Sequence, residues 1–401
     1  MTALIARANL MPPSDILFHS LKLRGNQLRN LLNDIPSVLL MGPGPSTIPE
    51  EIYRALRRDT LGHLDPDFIR IMDEIKALLR DLMDTANPLT LPVSGTGSGG
   101  MEACFVNLVE PGDRVMILVN GVFGQRMVEV AERLGAEVDS IEANWGTPID
   151  IDAVSDRIGH EDYRIVAVVH AETSTGVLNP VQEIGKLVAR TGALFMVDGV
   201  TSLGGLPVEL DNWNVDAFYS GTQKCLSAPP GLAPVSFSPR AQDVISKRRQ
   251  KVPNWYLDMS LITKYWGGNS RAYHHTAPIN MLYSLYQALV LIEEEGKENA
   301  YARHRDCHRQ LVNGLRELGI DMLVDPRFQL PMLSTVMVPD SVNEAEVRSH
   351  LRSQYNIEIG AGLGPLSGKV WRIGLMGHTA RAENVTRFLE ALQETISRFA
   401  A

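Results

Sequence analysis

Lys224 is the residue of this 401-residue chain whose surroundings point most directly to chemistry. It lies in SGTQKCLSAPPG (residues 220–231), just after the apolar run VDAFYS (residues 215–220), which predicts a buried strand. A loop lysine normally keeps its amine in water, and on local sequence alone that interpretation stays open. A lysine partly desolvated among small residues can instead have a lowered pKa, which frees the amine for Schiff-base chemistry.

Two other stretches carry polar groups next to apolar runs. Asp198 directly follows the run ALFMV, so it is either a turn residue or a carboxylate held against a cation at a strand end. The stretch SGTGSGG (residues 94–100) precedes a predicted helix with its apolar face at Met101, Cys104, Phe105 and Leu108. Such a turn offers free N–H groups and a positive helix end that suit a phosphate, although a flexible turn explains it equally. Its spacing is neither that of the dinucleotide-binding fingerprint nor that of a P-loop.

An amine, a carboxylate and a phosphate cradle are together what pyridoxal 5′-phosphate (PLP) requires of a protein. Arg372, in KVWRIGLMG, would add a bidentate clamp for a substrate carboxylate, unless it is an edge or ion-pair residue of a strand. The adjacent histidines of YHHT (residues 273–276) would point to opposite faces of an extended chain, so no metal site is expected there.

The elements that must position these residues alternate between strand and helix from residue 37 to residue 295. Short apolar runs such as RVMILV (residues 114–119) predict parallel strands buried on both faces. The stretches QRMVEVAERLG (residues 125–135) and VQEIGKLVARTG (residues 181–192) predict helices that end at their glycines. The pattern predicts an α/β domain with a mostly parallel sheet, whose ligands bind at the carboxyl ends of the strands.

The two ends of the chain differ from this central part. Residues 1–36 are poorly periodic and predict an arm, and residues 296–401 predict a second, smaller α+β domain in which long helices flank short strands. A formal net charge of −9, from 38 basic and 47 acidic residues, argues against binding of nucleic acid or of anionic membranes. Three scattered cysteines and the lack of a long apolar run or signal sequence lead us to expect a cytoplasmic protein.

Nearly the whole chain from residue 42 onward resembles the class V aminotransferases of fold type I, and most of all the alanine–glyoxylate and serine–pyruvate aminotransferases. The resemblance rests on many motifs in the same order: GPGPS, GH…IMDEI, NPLTL, SGTGSGGMEA, NGVFGQR, ETSTGVLNP, VDGVTSLGG, SGTQK…APPG, YHHT, GLGPLSGK and RIGLMG. It implies a PLP-dependent transferase fold, with a seven-stranded, mostly parallel sheet in the large domain and a smaller C-terminal α+β domain.

The resemblance also implies a role for each matching residue. Lys224 would bind PLP covalently and move the substrate proton, while Asp198 would pair with the ring nitrogen. Thr173 would bond to the hydroxyl side of the ring, and Val200 would pack beneath it. Phe123 stands where the family often has tryptophan, so we expect the stacking to be kept and the indole N–H contact to be lost.

The remaining implied contacts concern the phosphate, the substrate and a second subunit. The phosphate would be held by residues of the same chain: Thr96, Gly97, Ser98 and Gln223. Tyr273 and Thr276 would reach it from the neighbouring subunit of a homodimer, which could pair further into a tetramer. Arg372 and Gly44 would contact the substrate.

The expected reaction is ping-pong transamination, through pyridoxamine phosphate, between alanine or serine and glyoxylate or pyruvate. Serine–glyoxylate and ureidoglycine–glyoxylate transamination stay open, although His63 and Tyr273 replace amide residues expected for a ureido donor. A PLP lyase or desulfurase would need a mobile cysteine, and Cys104 and Cys225 are poorly placed for that role. A PLP-binding protein without catalytic activity would not need the intact set of amine, carboxylate and guanidinium.

Overall fold

The computed structural model describes residues 30–267 and 271–399, so most of the predicted arm lies outside the described residues. Contacts divide the chain into two units, Met1–Ser37 and Val38–Ala401. In the first unit, residues 31–34 form a short 3₁₀ helix capped by the Asn30 side chain. The second unit carries all the elements described below.

The strands and helices of this unit are numbered in chain order. The strands are β1 (Leu39–Leu40), β2 (Leu89–Ser94), β3 (Arg114–Val119), β4 (Glu137–Glu142), β5 (Ile165–Val169), β6 (Ala171–Glu172), β7 (Val177–Leu178), β8 (Leu194–Asp198), β9 (Ala217–Tyr219), β10 (Leu232–Phe237), β11 (Leu333–Met337), β12 (Ile357–Glu358), β13 (Gly360–Ala361) and β14 (Val370–Gly374). The helices are α1 (Glu50–Leu56), α2 (Pro66–Leu82), α3 (Gly97–Leu108), α4 (Val122–Arg133), α5 (Ile151–Ile158), α6 (Val181–Val188), α7 (Pro239–Ser246), α8 (Met259–Trp266), α9 (Ile279–Glu295), α10 (Lys297–Glu317), α11 (Glu344–Tyr355) and α12 (Ala382–Phe399).

Seven strands form the large sheet, in the order β2-β10-β9-β8-β5-β3-β4. Strand β10 runs antiparallel to both of its neighbours, and the other neighbouring pairs are parallel. Strands β5 and β8 are buried along their whole length, as expected of central strands covered by helices on both faces. The prediction of a mostly parallel seven-stranded α/β sheet is therefore confirmed.

The two helix ends predicted at glycines turn out differently. Helix α4 ends at Arg133, and Gly135 follows with a positive φ of 79°, which glycine adopts without strain. Helix α6 ends at Val188, so the prediction that it continues to Gly192 is wrong. The Thr191 hydroxyl donates to the Val188 carbonyl at 2.8 Å and accepts the Ala193 N–H at 3.1 Å, which replaces the helical hydrogen bonds there.

A second hydrophobic cluster lies in the C-terminal part of the chain. It contains Trp371 of β14 and Phe388 of α12, and strands β11, β14 and β13 form its antiparallel sheet. Met41, from far upstream, is buried in the same cluster, because β1 pairs in parallel with β12. The domain boundary predicted between residues 295 and 296 falls at the turn between α9 and α10, and the division itself stays a prediction. None of the described helices is long and apolar enough to cross a membrane.

Candidate active site

A cavity of about 200 Å³ opens at the carboxyl edge of the large sheet, where β5, β8 and β9 end. The predicted site residues that line this cavity are Thr96, Gly97, Ser98, Phe123, Thr173, Asp198, Val200, Gln223 and Lys224. They come from five separate segments of the sequence, and the parallel strand order brings them to one place. The structure thus assembles the residues of the chain's own predicted cofactor site.

Lys224 follows β9 and is only 8 % exposed. Burial lowers the pKa of its amine to about 8, because the charged form is desolvated. Its Nζ donates a hydrogen bond to the Pro43 carbonyl, and its own carbonyl accepts one from the Ser46 hydroxyl at 2.7 Å. The loop that carries the lysine is therefore tied to the segment preceding α1.

Gly44 lies against the lysine side chain, with a φ of +105° that favours glycine. A Cβ at this position would lie 2.5 Å from the Lys224 Nζ and 2.7 Å from its Cδ. Only a residue without a side chain lets this backbone approach the amine so closely. The predicted substrate contact of Gly44 is not tested by this geometry, but the glycine does border the reactive end of Lys224.

Asp198 ends β8 and is 3 % exposed. Burial raises the pKa of its carboxyl to about 7, and the Val200 N–H, which donates to it at 2.8 Å, opposes that shift. A carboxyl in this state holds a proton much more readily than a solvated aspartate does. It could therefore share a proton with a basic ring nitrogen placed in the cavity.

The N-terminus of α3 forms one wall of the cavity. Thr96 caps the helix without a side-chain hydrogen bond, so the N–H groups of the first turn have no cap from this residue. A Cβ on Gly97 would lie 3.0 Å from the Val200 Cγ2, which shows how closely the helix end approaches the floor of the cavity. The Ser98 hydroxyl lies in the same turn. Backbone N–H groups, a hydroxyl and a positive helix end form a suitable site for a phosphate.

Arg372 lies on β14 and is 6 % exposed. Its Nε donates to the Ala361 carbonyl at 2.7 Å, and its Nη1 donates to the Thr173 carbonyl at 3.0 Å. Burial lowers the pKa of the guanidinium to about 10, an effect that the negative charge of Glu172 opposes. Among the described residues it has no ion-pair partner, so the guanidinium is orientated but its charge is not neutralised by a contact.

Two residues near the cavity were not singled out by the sequence reasoning. Arg126 lines the cavity, is exposed, and stacks over Phe123 with its Cζ 5.3 Å from the ring centroid. Glu172 is fully buried one residue before Thr173 and accepts hydrogen bonds from four donors. Both belong to motifs of the resemblance, NGVFGQR and ETSTG, and these motifs were the available signal.

Tyr273 and Thr276 are not among the residues that line this cavity. Both are exposed, Tyr273 by 59 %, and their hydroxyls lie 3.3 Å apart. The Tyr273 ring lies 5.0 Å from that of His63. Their predicted contact with the cofactor of a neighbouring subunit stays a prediction.

The residues of the cavity fit PLP. The buried Gln223 Oε1 has no hydrogen-bond partner among the described residues, so this amide end is open to a ligand, with the donor and acceptor ends interchangeable by a flip. The cavity also combines an amine of lowered pKa, a buried carboxyl and an uncapped helix end. These groups correspond to the aldehyde, the ring nitrogen and the phosphate of the cofactor.

Comparisons with known proteins agree with this chemistry. The family described as "Aminotransferase class-V" matches residues 47–388. The chain is 41 % identical over 365 residues to an alanine–glyoxylate aminotransferase of Rattus norvegicus, covering 90 % of this chain and 88 % of the relative. It is 37 % identical over 381 residues to an (S)-ureidoglycine–glyoxylate transaminase of Bacillus subtilis (strain 168), covering 90 % and 91 %. The crystal structure of an alanine–glyoxylate aminotransferase from Nostoc sp. superposes with a TM-score of 0.90 at 46 % identity, covering 92 % of this chain and 97 % of that chain.

Proposed function

Since this chain belongs to the class V aminotransferases and is therefore a PLP-dependent aminotransferase, we propose that it transfers an amino group from alanine or serine to glyoxylate or pyruvate. The relatives named for alanine–glyoxylate transamination, at 41 % and 46 % identity over about nine tenths of the chain, support this pair of substrates. The observation that carries the proposal is the burial of Arg372, which does not line the cavity itself but is bonded to the cavity residue Thr173. A single buried guanidinium, orientated by two backbone carbonyls, suits acids with one carboxylate.

Bound PLP supplies an aldehyde that accepts the amino group and a ring that withdraws electrons from the reacting carbon. The helix end at Thr96, Gly97 and Ser98, with Gln223, would hold its phosphate. Asp198 would hold a proton at the ring nitrogen, and Phe123 and Val200 would enclose the ring.

Lys224 would anchor the cofactor and then act as the base and acid of the reaction. Because burial lowers its pKa to about 8, a substantial fraction of the amine is neutral near physiological pH and can take the proton from the substrate Cα. Arg372 would bind the substrate carboxylate and so fix which bond at that carbon faces the amine. Thr173, whose carbonyl holds Arg372, lines the same cavity and would contact the ring hydroxyl.

The thiols argue against desulfurase chemistry. Cys104 and Cys225 are buried, and burial raises the pKa of both, that of Cys225 to about 12. Neither therefore supplies a mobile thiolate to the cavity, as a desulfurase requires. Incubation with cysteine should release no sulfide above the level of a heat-inactivated sample.

One observation favours a second candidate. Arg126 lines the outer part of the cavity and makes no ion pair with any other residue that the structure describes, so it could receive a second carboxylate. An acid with two carboxylates, such as glutamate or 2-oxoglutarate, would then be a better substrate than the single buried clamp predicts. Arg126→Gln would lower activity toward such an acid while leaving activity toward alanine unchanged.

A panel of amino donors against glyoxylate and pyruvate tests the proposal. We expect kcat/KM for alanine or serine to exceed that for glutamate by at least roughly tenfold, the equivalent of ~1.4 kcal/mol in transition-state binding. Ureidoglycine belongs in the panel as the donor of the other transaminase relative. A preference for glutamate or for ureidoglycine would contradict the proposed pair of substrates.

We also propose that the enzyme is a homodimer with shared sites. Exposed aromatic side chains at Trp255, Tyr256 and Tyr273 give the surface near Thr276 the composition of a protein interface. Sedimentation of the purified chain, compared with its 44.2 kDa mass, would distinguish a monomer, a dimer and a tetramer. The cytoplasmic location expected from the cysteines belongs to this proposal too, supported by the absence of disulfides among the three.

A further inference from the structure

The helix that carries Phe123 begins without a cap of its own. Its N-cap residue is Gly121, which has no side chain, and the first N–H groups of α4 would be unpaired if nothing else reached them. Three consecutive N–H groups instead donate to residues about 50 positions later in the sequence. Val122 donates to the Ser174 hydroxyl at 2.9 Å, and Phe123 and Gly124 donate to the Glu172 Oε2 at 3.2 and 3.4 Å.

Gly121 is required for this arrangement. A Cβ at residue 121 would lie 2.3 Å from the Ser174 Oγ and 2.5 Å from the Glu172 Cδ. Any larger residue would therefore push the helix end away from both groups. Because Gly121 has no side chain, Glu172 and Ser174 have room to reach the first N–H groups of α4 and cap the helix.

Burial raises the pKa of the Glu172 carboxyl, and the hydrogen bonds that the carboxyl accepts oppose that shift. The Ser174 N–H and hydroxyl donate to its Oε1 at 3.0 and 2.6 Å, and the helix end donates to its Oε2. Three of the four partners are N–H groups, which can only donate, and together with the hydroxyl they favour the carboxylate form, which accepts all four bonds. The anion also lies at the positive end of the α4 dipole.

The same short segment reaches the substrate clamp. Thr173, between the two capping residues, lines the cavity, and its carbonyl accepts from the Arg372 Nη1 at 3.0 Å. The negative charge of Glu172 also acts on Arg372, which has no ion pair of its own among the residues described. Residues 172–174 therefore connect Phe123, whose ring would stack on the cofactor, to the Arg372 guanidinium.

We propose that Glu172 is a positioning residue that caps α4 from a distance and thereby holds Phe123 against the cofactor, while its charge balances that of Arg372. It lies outside the cavity lining, so it acts through these neighbours. This inference rests on the roles proposed above for Phe123 and Arg372. Its first test does not depend on them.

The first test is hydrogen exchange of the holoenzyme at residues 122–124. In Glu172→Gln an NH₂ group replaces one carboxylate oxygen. In either orientation of the amide, this NH₂ group faces N–H donors that it cannot accept, so at least one hydrogen bond at the helix end or at Ser174 is lost. We expect exchange of the Phe123 and Gly124 amides to accelerate roughly tenfold or more, because a lost bond to a charged acceptor corresponds to at least one decade in the opening equilibrium. Wild-type exchange rates at these amides would overturn the proposal.

The second test separates cofactor binding from substrate binding. In Glu172→Gln we expect the dissociation constant of PLP, measured by equilibrium dialysis, to rise roughly tenfold and kcat to fall, because Phe123 is held less firmly against the cofactor. The KM for the amino acid should not rise, because the charge opposing the Arg372 guanidinium has been removed. A raised KM with an unchanged PLP affinity would contradict the proposed role.

Asp216→Asn is the matched control. Asp216 is also a buried carboxylate, and it accepts from the Phe195 N–H at 3.0 Å and the Ser238 hydroxyl at 2.6 Å, but it lies at the opposite edge of the sheet. It should lower stability without changing PLP affinity or exchange at residues 122–124. If it changed them as much as Glu172→Gln does, the effect would be general destabilisation and the proposal would be wrong.

Ser174→Ala keeps the proposal testable if Glu172→Gln does not fold. It removes the acceptor of the Val122 N–H and one donor to Glu172, so it should accelerate exchange at Val122 and weaken PLP binding in the same direction but less. No change in either measurement would overturn the proposal. A different substrate preference in the donor panel would instead refute the proposed function and leave the exchange result intact.

Discussion

The two edges of the large sheet treat charged side chains in opposite ways. At the amino edge, strand starts carry ion pairs: Arg114 with Asp139 at 2.9 Å, Arg164 with Asp113 at 3.2 Å, and Arg240 with Asp216 at 3.1 Å. At the carboxyl edge, Asp198 and Lys224 are more deeply buried than most of these groups, yet neither makes an ion pair with another described residue.

This difference supports the proposal of a ligand site at the carboxyl edge. Burying a charged group without a partner is costly, so it persists where something else supplies the partner or where the pKa shifts. The second condition holds at the carboxyl edge, where burial raises the pKa of Asp198 to about 7 and lowers that of Lys224 to about 8. The charges at the amino edge are paired with one another, whereas those of Asp198 and Lys224 at the carboxyl edge are left unpaired by the described residues.

The strongest test of this contrast is Lys224→Ala. Loss of the positioned amine should remove the absorbance of covalently bound PLP and lower the transamination rate by about 10²–10⁴-fold or more. Lys247→Ala, which removes an exposed lysine paired with Asp243, should leave both unchanged. A fully active Lys224→Ala enzyme would refute the assignment of the site.

The second test exchanges one carboxyl at each edge. Asp198→Asn should lower kcat by roughly 10²-fold, the cost of removing one preorganised electrostatic partner. Asp216→Asn should instead lower the free energy of unfolding by about 1–3 kcal/mol, because it disturbs buried hydrogen bonds, and should leave kcat unchanged. The measurements are kcat and denaturant unfolding of both variants. If Asp216→Asn lowered kcat and Asp198→Asn lowered only stability, the contrast between the two edges would be refuted.

The third test compares two arginines. Arg372→Lys should raise the KM for both the amino acid and the 2-oxo acid by roughly 10-fold, since a point charge replaces a planar fork that binds a carboxylate through two bonds. Arg240→Lys at the amino edge should leave both KM values unchanged and alter stability by less than about 1 kcal/mol, as expected of a partly exposed ion pair. An unchanged KM in Arg372→Lys would place the carboxylate site elsewhere.

The fourth test compares two glycines with positive φ, Gly44 at +105° and Gly112 at +85°. Alanine at either position should strain the backbone by roughly 1–2 kcal/mol. At residue 44 the new methyl group would also lie 2.5 Å from the Lys224 amine, whereas at residue 112 it would meet no described residue within 4 Å other than its neighbours in the chain. PLP affinity should therefore fall about severalfold in Gly44→Ala only, the equivalent of ~1 kcal/mol. Equal affinities in the two variants would show that Gly44 matters only for backbone shape.

The smallest effect is the pH dependence of Lys224. The neutral amine is the reactive form, so attachment of PLP to the cofactor-free protein should accelerate as pH rises and level off above about 8. Because the folded pKa lies below the ordinary value of 10.5, the unfolded chain binds more protons between about pH 8 and pH 10.5. The contribution of Lys224 to stability therefore rises with pH across that window. Stopped-flow absorbance checks the first statement, and a plateau only near pH 10 would contradict it.

The sequence was sufficient to predict the residues at strand ends. Lys224 and Asp198 each follow an apolar run, and the parallel sheet brings the carboxyl ends of those runs together, so local pattern and topology agree. Glu172 was not predicted, because its role depends on a helix end about 50 residues earlier, and spacing alone does not reveal such a contact. The end of helix α6 was mispredicted for a local reason. The Thr191 hydroxyl bonds to the Val188 carbonyl, and the helix ends there rather than at Gly192.

The contact between the Lys224 amine and the Pro43 carbonyl places a residue near the start of the second unit over a lysine far downstream. The segment that carries Pro43 is held by the pairing of β1 with β12 and by the Gly374 N–H, which donates to the Met41 carbonyl at 2.7 Å. During synthesis on the ribosome, the central sheet could form before residues 357–374 have emerged, but the cover over Lys224 could not. The reactive amine would thus acquire its final surroundings only late in translation, after the strands that present it.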